Sequence, residues 1–574
     1  MNGLTTPRRL PRRTRLAVAG ELMLAAAFVG WTIIGDRHGA WVLLACVAAV
    51  AVAALPPVRT RCRNRWLRTQ FIMRRARRNP ADVLTAAFDV PVSGTRDGER
   101  TSATRMGARW VDDTLITMLA LDTDPTAPTT LTPHGIVDPG GHCATLRQIA
   151  ACLDTFDITV DAVDLISHGQ RTTGPAHIAQ VYDATLGPLP AVANRATFLV
   201  IRLRPADCPA AVARRGGGSS GAIRAAVVTT RRIAAALHDA GVPARILTAR
   251  QITDATVFLA DGAPIADVAE AWSELTSSGT RIRGFAVTAD AASAVAASTG
   301  WTHSALSTTL GVRIRPSAAG HEYAAVLRVT EHPASNRVLR QPITGLEPLF
   351  GAQFEALCAT LPVGSSPWLD RRLAWTPITD DGPQPGLGGC GALIGADAAG
   401  RGVAVALTSA ATVVVAGEQS WVWQLIIRAL ATGVRIRVAT DRVDYWQPLI
   451  AVVGDPTALR LDAAGSRDAS AALLVVDGTR CAPEHLVPES PGTRLIVVDD
   501  ARAAPEGELR LIQDPTSPGF VDVETPRRRM RVSIVATPQE WRLLGGIGGR
   551  PRPPDEPVTS PLDSRQTTPI LVPR

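Results

Sequence analysis

The most informative absence in this 574-residue chain is lysine, because all 60 of its lysine-plus-arginine residues are arginine. A chain without lysine has no Walker-A lysine to hold nucleotide phosphates, no kinase lysine to anchor ATP and no Schiff-base lysine. Aromatic residues make up only 4% of the chain, which does not fit the interleaved basic and aromatic side chains of nucleic-acid binding. These shortages disfavour several large enzyme classes and a nucleic-acid partner.

Cysteine and histidine also lack the spacings that carry chemistry. The eight cysteines are scattered without a CxxC pair, which fits reduced thiols in a cytoplasm rather than a disulfide framework or a zinc site. The ten histidines form no HExxH or other metal-ligand spacing. We therefore expect no enzyme activity, no catalytic residue, no cofactor and no metal.

The positive charge of the chain is concentrated at its N-terminus. Residues 1–78 hold fifteen arginines against two acids, a net charge of +13, whereas the remaining residues carry a net charge of −5. Two apolar stretches, 16–35 and 40–58, lie inside this basic region, and each is as long as a bilayer-crossing helix. We interpret residues 16–58 as a transmembrane hairpin. A buried core hairpin and a twin-arginine export signal are the alternatives.

Arginine placement predicts the orientation of this hairpin. Arginines precede the first stretch and follow the second, so the positive-inside rule makes the chain a multi-pass inner-membrane protein with both termini in the cytoplasm. The arginines after the second stretch form a basic collar that we expect to contact anionic lipid headgroups, with a role in topology alone as the alternative. The collar consists of Arg59, Arg61, Arg63, Arg65, Arg68, Arg74, Arg75, Arg77 and Arg78.

The predicted fold class of the rest of the chain is α/β. A long amphipathic helix at 222–241 lies between apolar strand-like runs, an alternation typical of layered α/β domains. The predicted segments are a basic cytoplasmic N-terminus (1–15), the hairpin (16–58), a basic linker (59–105), a cytosolic α/β domain (106–335), a second α/β lobe (340–548) and a disordered proline-rich tail (549–574).

The second lobe carries the nearest approach to a nucleotide-binding motif. Apolar runs at 413–415 and 473–476, with a helix between them, predict parallel strands buried on both faces. Gly417 lies between the first run and the helix as in a P-loop, and Asp477 ends the second run like a Walker-B residue. Glu418 follows the glycine, however, and the second glycine and the lysine are missing. We predict a doubly wound, NTPase-like but degenerate lobe that hydrolyses nothing.

Two further motifs are weak. The glycine-rich loop at 214–222 precedes the long helix, so its N–H groups are available to an anion, although a flexible connection is the simpler interpretation. Asp122 and Asp124 match the D-x-D pattern with which glycosyltransferases bind a metal and a sugar nucleotide. A membrane-tethered, glycosyltransferase-like enzyme of the cell envelope is therefore the alternative function.

Several short segments follow the arginine-flanked double span in a fixed order. They are Trp110–Asp113, Thr130–Pro133, Leu186–Ala191 and Arg215–Gly218 before Thr230–Arg232. Over residues 10–335 this series resembles the EccE family of actinobacterial type VII (ESX) secretion systems. The resemblance implies a structural and assembly subunit of an inner-membrane protein-secretion complex, with a cytosolic soluble portion and no catalytic residues. It also implies partners from the EccB, EccC and EccD families.

Overall fold

The computed structural model of the chain describes residues 84–545 with gaps. The gaps fall at 93–94, 97–98, 101–103, 122–126, 133–134, 138–144, 156, 190–193, 278, 293–300, 302–304, 333–344, 365–366, 380–388, 462–471, 479–492 and 500–504. The chain divides into two compact units, residues 1–78 and 79–574, and every described residue belongs to the second unit.

The described elements are numbered in chain order. The helices are α1 (Leu146–Ala151), α2 (Ala176–Leu186), α3 (Pro209–Arg214), α4 (Gly218–Asp239), α5 (Ala249–Leu259), α6 (Gln353–Ala359), α7 (Pro367–Asp370), α8 (Gln419–Ala431), α9 (Val443–Val453) and α10 (Pro538–Gly545). The strands are β1 (Ala87–Val92), β2 (Thr95–Arg96), β3 (Glu99–Arg100), β4 (Thr104–Val111), β5 (Thr114–Leu121), β6 (Thr129–Thr132), β7 (Gly135–Val137), β8 (Asp154–Thr155), β9 (Ile158–Thr159), β10 (Ala162–Gln170), β11 (Asn194–Leu203), β12 (Ala244–Ile246), β13 (Ala269–Glu270), β14 (Leu275–Ser277), β15 (Thr280–Val287), β16 (Ser307–Ser317), β17 (Gly320–Glu331), β18 (Leu346–Pro348), β19 (Thr376–Pro377), β20 (Ala392–Ala396), β21 (Gly402–Val405), β22 (Thr412–Ala416), β23 (Ile436–Thr440), β24 (Leu459–Leu461), β25 (Leu473–Asp477), β26 (Thr493–Val498), β27 (Leu509–Gln513), β28 (Phe520–Thr525) and β29 (Arg528–Ser533).

The first large sheet is antiparallel throughout. Its strand order is β1-β4-β5-β11-β10-β16-β17-β15-β14-β13, with β12, β18 and β19 paired beside β5, β15 and β17. Successive side chains of a strand point to opposite faces, so Leu119 and Leu121 of β5 join one apolar core while Met118 and Ala120 join another. Helices α4, α5 and α6 pack against this sheet.

The second large sheet is mixed. Strands β24-β23-β25-β26-β22-β27 are parallel to one another, and β28, β29, β20, β21, β6 and β7 continue the sheet in antiparallel fashion. The predicted parallel strands at 413–415 and 473–476 are confirmed as parts of β22 and β25, which lie on either side of β26. Helix α8 follows β22 and helix α9 follows β23, so both helices begin at the carboxyl edge of the parallel strands.

The two sheets are joined by more than the chain between them. Strand β6 lies between β5 and β10 in sequence but pairs with β21 of the second sheet. The N–H groups of Thr173 and Gly174 donate to the carbonyl oxygen of Ala431, both at 3.1 Å. A Cβ on Gly174 would lie 1.8 Å from the carbonyl oxygen of Leu430, so only glycine allows this close approach. One apolar core runs through both sheets.

The predicted fold class is wrong in its transmembrane hairpin and in the layered α/β domain predicted for residues 106–335. No helix of the described residues is long and apolar enough to span a bilayer, and the predicted stretches 16–35 and 40–58 lie outside those residues. The segment predicted as an α/β domain builds an antiparallel sheet instead, and one of its strands joins the other sheet. An antiparallel strand buried on both faces has the same unbroken apolar sequence as a parallel one, which explains the error.

Candidate functional site

The carboxyl edge of the parallel strands holds a buried acidic side chain. Asp477, the last residue of β25, is fully buried. Its Oδ2 accepts hydrogen bonds from Thr440 Oγ1 at 3.0 Å, Arg442 Nε at 3.2 Å and Trp446 Nε1 at 2.7 Å. Its Oδ1 accepts from Arg442 Nη2. Both oxygens of this carboxylate are therefore bound, by donors from the end of β23, the start of α9 and Arg442 between them.

The guanidinium of Arg442 links Asp477 to a second carboxylate. Its Nη1 donates to both oxygens of Asp499, at 2.7 and 3.0 Å, just beyond the end of β26. The hydrogen bond to Asp477 is the main cause that raises the pKa of Arg442 above its ordinary value. The chain after β25 must turn tightly here, because Gly478 has a φ of +78° and a Cβ on it would meet the Asp441 carboxylate at 1.8 Å.

The loop that resembles a P-loop is filled by protein. Gly417 follows β22, and a Cβ on it would lie 2.5 Å from Oε1 of Gln513 at the end of β27. That oxygen accepts a hydrogen bond from the N–H of Glu418 at 2.6 Å, and Nε2 of Gln513 donates to the carbonyl oxygen of Pro518 at 2.7 Å. A phosphate needs free N–H groups and a nearby cation at this position. With Gln513 in the loop and the acidic Glu418 beside it, the residues present do not fit a nucleotide phosphate.

A second polar cluster lies inside the antiparallel sheet and has the order of a nucleophile, a base and an acid. The hydroxyl of Thr309 lies 2.8 Å from Nδ1 of His168, and Nε2 of His168 lies 3.4 Å from Oδ1 of Asp261. The other oxygen of Asp261 accepts hydrogen bonds from the hydroxyls of Ser307 and Thr330, both at 2.7 Å. In a hydrolase such an arrangement activates the hydroxyl for attack.

Burial argues against that chemistry in this protein. Thr309 and His168 have no accessible surface, so no substrate reaches the hydroxyl from solvent. Burial also lowers the pKa of His168 to about 4, which keeps the imidazole neutral at pH 7. Asp261, at the end of α5, has a φ of +55°, a left-handed conformation that places its carboxylate under β16 and β17. We interpret the cluster as a polar part of the core.

A third buried network, centred on Asp164, attaches the loop after α6 to the first sheet. Arg202 Nε and Arg313 Nε each donate to Asp164, both at 2.6 Å, and Arg313 Nη2 adds a third bond at 3.0 Å. Burial alone raises the pKa of Asp164, but the two guanidinium groups outweigh it and the pKa is lowered. Arg202 Nη1 donates to the carbonyl oxygen of Val363 at 2.6 Å, which holds the loop after α6.

Most residues singled out from the sequence fall outside the described part of the chain. This is so for Asp122, Asp124 and every arginine of the basic collar. In the described glycine-rich loop, Gly216, Gly217 and Gly218 have φ values of +106°, +69° and +54°, and Arg215 pairs with Asp157 at 2.7 Å. Among the described residues no group of three or more His, Cys, Asp or Glu side chains is arranged to hold a metal ion.

The sequence pattern identified Asp477 and Gly417. It did not identify Arg442, which neutralises Asp477, or Gln513, which fills the loop at Gly417. Arg442 is 35 positions from Asp477, and Gln513 is 95 positions from Glu418. His168 and Thr309, separated by 141 positions, belong to no recognisable motif. The one signal in the sequence is that Arg442 and Trp446 are four residues apart at the start of α9, so that both side chains can lie near the same end of the helix.

Comparison with known proteins gives consistent matches. The family described as type VII ESX secretion system translocon, EccE, matches residues 191–287, a range that contains β11 to β15 and α3 to α5. The ESX-1 secretion system protein EccE1 of Mycolicibacterium smegmatis is 26% identical over 395 residues, covering 68% of this chain and 75% of that protein. The ESX-2 secretion system protein EccE2 of Mycobacterium tuberculosis is 26% identical over 312 residues, covering 52% of this chain and 55% of that protein.

Proposed function

Because this chain belongs to the EccE family of type VII secretion proteins, we propose that it is a non-catalytic structural subunit of an ESX secretion complex at the cell membrane. The family match and the two ESX relatives support the secretion role. The observation that carries the non-catalytic role is the state of Asp477. This carboxylate lies where a nucleotide-binding sheet would use one, yet its charge is already neutralised by Arg442.

In this proposal the chain assembles with subunits of the EccB, EccC and EccD families, and ATP hydrolysis by another subunit drives export. The absence of lysine supports this division, since the chain has no residue to act as a Walker-A lysine. The pairing of β6 with β21 supports a scaffold role, because it connects the part of the chain that forms the first sheet to the second sheet. Residues of both sheets pack into one apolar core. A scaffold of this size offers a large surface to its neighbours.

The basic collar gives the chain a second proposed contact, with anionic lipid headgroups. Nine arginines lie between residues 59 and 78 without an acidic residue among them. Each arginine near an anionic membrane surface contributes about 1 kcal/mol of binding free energy, so the segment as a whole is sufficient for stable association. This contact does not require that the chain cross the bilayer.

Purification of the tagged full chain from membranes in mild detergent tests the assembly role. We expect mass spectrometry to identify an FtsK-type ATPase and further membrane subunits in a megadalton-range complex. Recovery of the chain alone, as a monomer or a homodimer, contradicts the proposal.

Flotation of the full chain with vesicles tests the lipid contact. Replacing Arg74, Arg75, Arg77 and Arg78 with glutamine is expected to reduce binding to anionic vesicles and to leave neutral vesicles unaffected. The matched control replaces four exposed arginines of the second unit, namely Arg214, Arg250, Arg528 and Arg529. Equal losses in the two variants mean that total charge, and not the collar, controls binding.

A further inference from the structure

The carboxyl edge of the parallel strands brings two carboxylates together. Asp477 and Asp499 follow each other in the sheet at the ends of β25 and β26, the first fully buried and the second 74% exposed. Many enzymes with parallel sheets place a metal ion on acidic side chains at this edge. Two such carboxylates repel each other unless a cation lies between them.

We propose that Arg442 is a built-in counter-ion, whose guanidinium takes the place of a metal ion between Asp477 and Asp499 and makes this edge independent of metal and nucleotide. Its Nε and Nη2 bond Asp477, and its Nη1 bonds Asp499. The guanidinium is permanently charged and its N–H groups point in fixed directions, so one side chain neutralises both carboxylates.

The position of Arg442 in the chain explains why this cation is always present. Arg442 precedes the first residue of α9, and Trp446 in the next turn donates its indole N–H to the same carboxylate at 2.7 Å. Ion pairs and hydrogen bonds to Asp477 and Asp499 thus hold the start of helix α9 against the ends of β25 and β26. A bound metal ion would leave with a chelator, whereas a covalently attached guanidinium does not.

Removal of this side chain should create an accessible cation site. Arg442 is 31% exposed and Asp499 is more exposed still, so the space left by Arg442→Gln opens to solvent. The probe is the terbium ion, a hard cation that prefers carboxylate oxygens. Trp446 lies against Asp477 and is positioned to sensitise the luminescence of a terbium ion bound there.

The experiment titrates terbium into the purified full chain and excites tryptophan. We expect Arg442→Gln to gain saturable terbium luminescence at least tenfold above the wild type, competed by excess calcium. The double variant Arg442→Gln/Asp477→Asn should lose that gain. The control Arg528→Gln removes an exposed arginine of the same sheet and should match the wild type. Equal luminescence in the wild type and Arg442→Gln overturns the proposal.

Thermal unfolding supplies a second measurement. We expect the melting temperature of Arg442→Gln to fall by about 5 °C and to recover with calcium, while EDTA and calcium leave the wild type unchanged. If Arg442→Gln does not fold, the double variant with Asp477→Asn should fold, because its buried carboxylate is gone. Failure of both variants to fold means that Arg442 acts through packing, and the counter-ion role is then overturned.

Discussion

Replacing Glu540 of helix α10 with glutamine removes the carboxylate that neutralises Arg428 of helix α8. Both side chains are almost completely buried, at 0% exposure for Arg428 and 1% for Glu540. Arg428 Nε and Nη2 donate to the two carboxylate oxygens at 2.7 and 2.9 Å, and Gln424 Nε2 adds a bond at 3.1 Å. Helix α10 is held against helix α8 by these three bonds.

The cost of Glu540→Gln follows from the partners that remain. Removing one member of a buried ion pair costs about 3–5 kcal/mol, because the other charge is left without a counter-charge. Here the carbonyl oxygens of Leu393, Ile394 and Val535 still accept from Arg428, so we expect the lower end, about 3 kcal/mol. The double variant Arg428→Met/Glu540→Leu removes both charges and should cost less than the single variant.

Hydrogen exchange of the full chain measures this effect where it occurs. A loss of about 3 kcal/mol corresponds to a fall in the protection of α8 amides of about 100-fold. The control is Arg542→Gln, at an exposed position of α10, the helix that contains Glu540, and it should leave the protection of α8 amides unchanged. Wild-type protection in Glu540→Gln, or a double variant that is no better than the single one, would refute the electrostatic reasoning.

Three further predictions concern the first sheet and its junction with the second. Burial lowers the pKa of His168 in the folded state to about 4, below the ordinary 6.5. The stability that comes from the neutral imidazole is therefore complete above pH 6.5 and is lost as the pH falls toward 4, on the order of 3 kcal/mol in all. Unfolding measured as a function of pH should show this loss in the wild type and not in His168→Gln. Gly174→Ala places a methyl group against a backbone carbonyl and should cost about 3 kcal/mol in urea unfolding, whereas Gly519→Ala, with open space around it, should be neutral. A chain ending at residue 335 leaves β6 without β21 and should aggregate in gel filtration, while recovery of a monodisperse monomer would contradict the interlocked fold.

The sequence by itself determined which apolar runs are buried strands and which residue types the chain does not have. The unbroken apolar runs in β22 and β25 identified two parallel strands, because such runs are typical of strands covered on both faces. The absence of lysine and the acidic Glu418 after Gly417 predicted that this edge of the sheet does not bind a nucleotide phosphate. The ordered segments up to residue 335 indicated the resemblance to the EccE family, which the family match over residues 191–287 supports.

Only the tertiary structure decided which strands pair and which charges meet. Local periodicity records whether a side chain is buried, but an antiparallel and a parallel strand with two covered faces have the same pattern, so the first sheet was predicted with the wrong architecture. The crossing of β6 to β21, the filling of the Gly417 loop by Gln513 and the bridging of two carboxylates by Arg442 depend on contacts between distant parts of the chain. Hydrogen bonds and ion pairs act over a few ångströms in space whatever the separation in sequence, and only folding brings these partners within that distance.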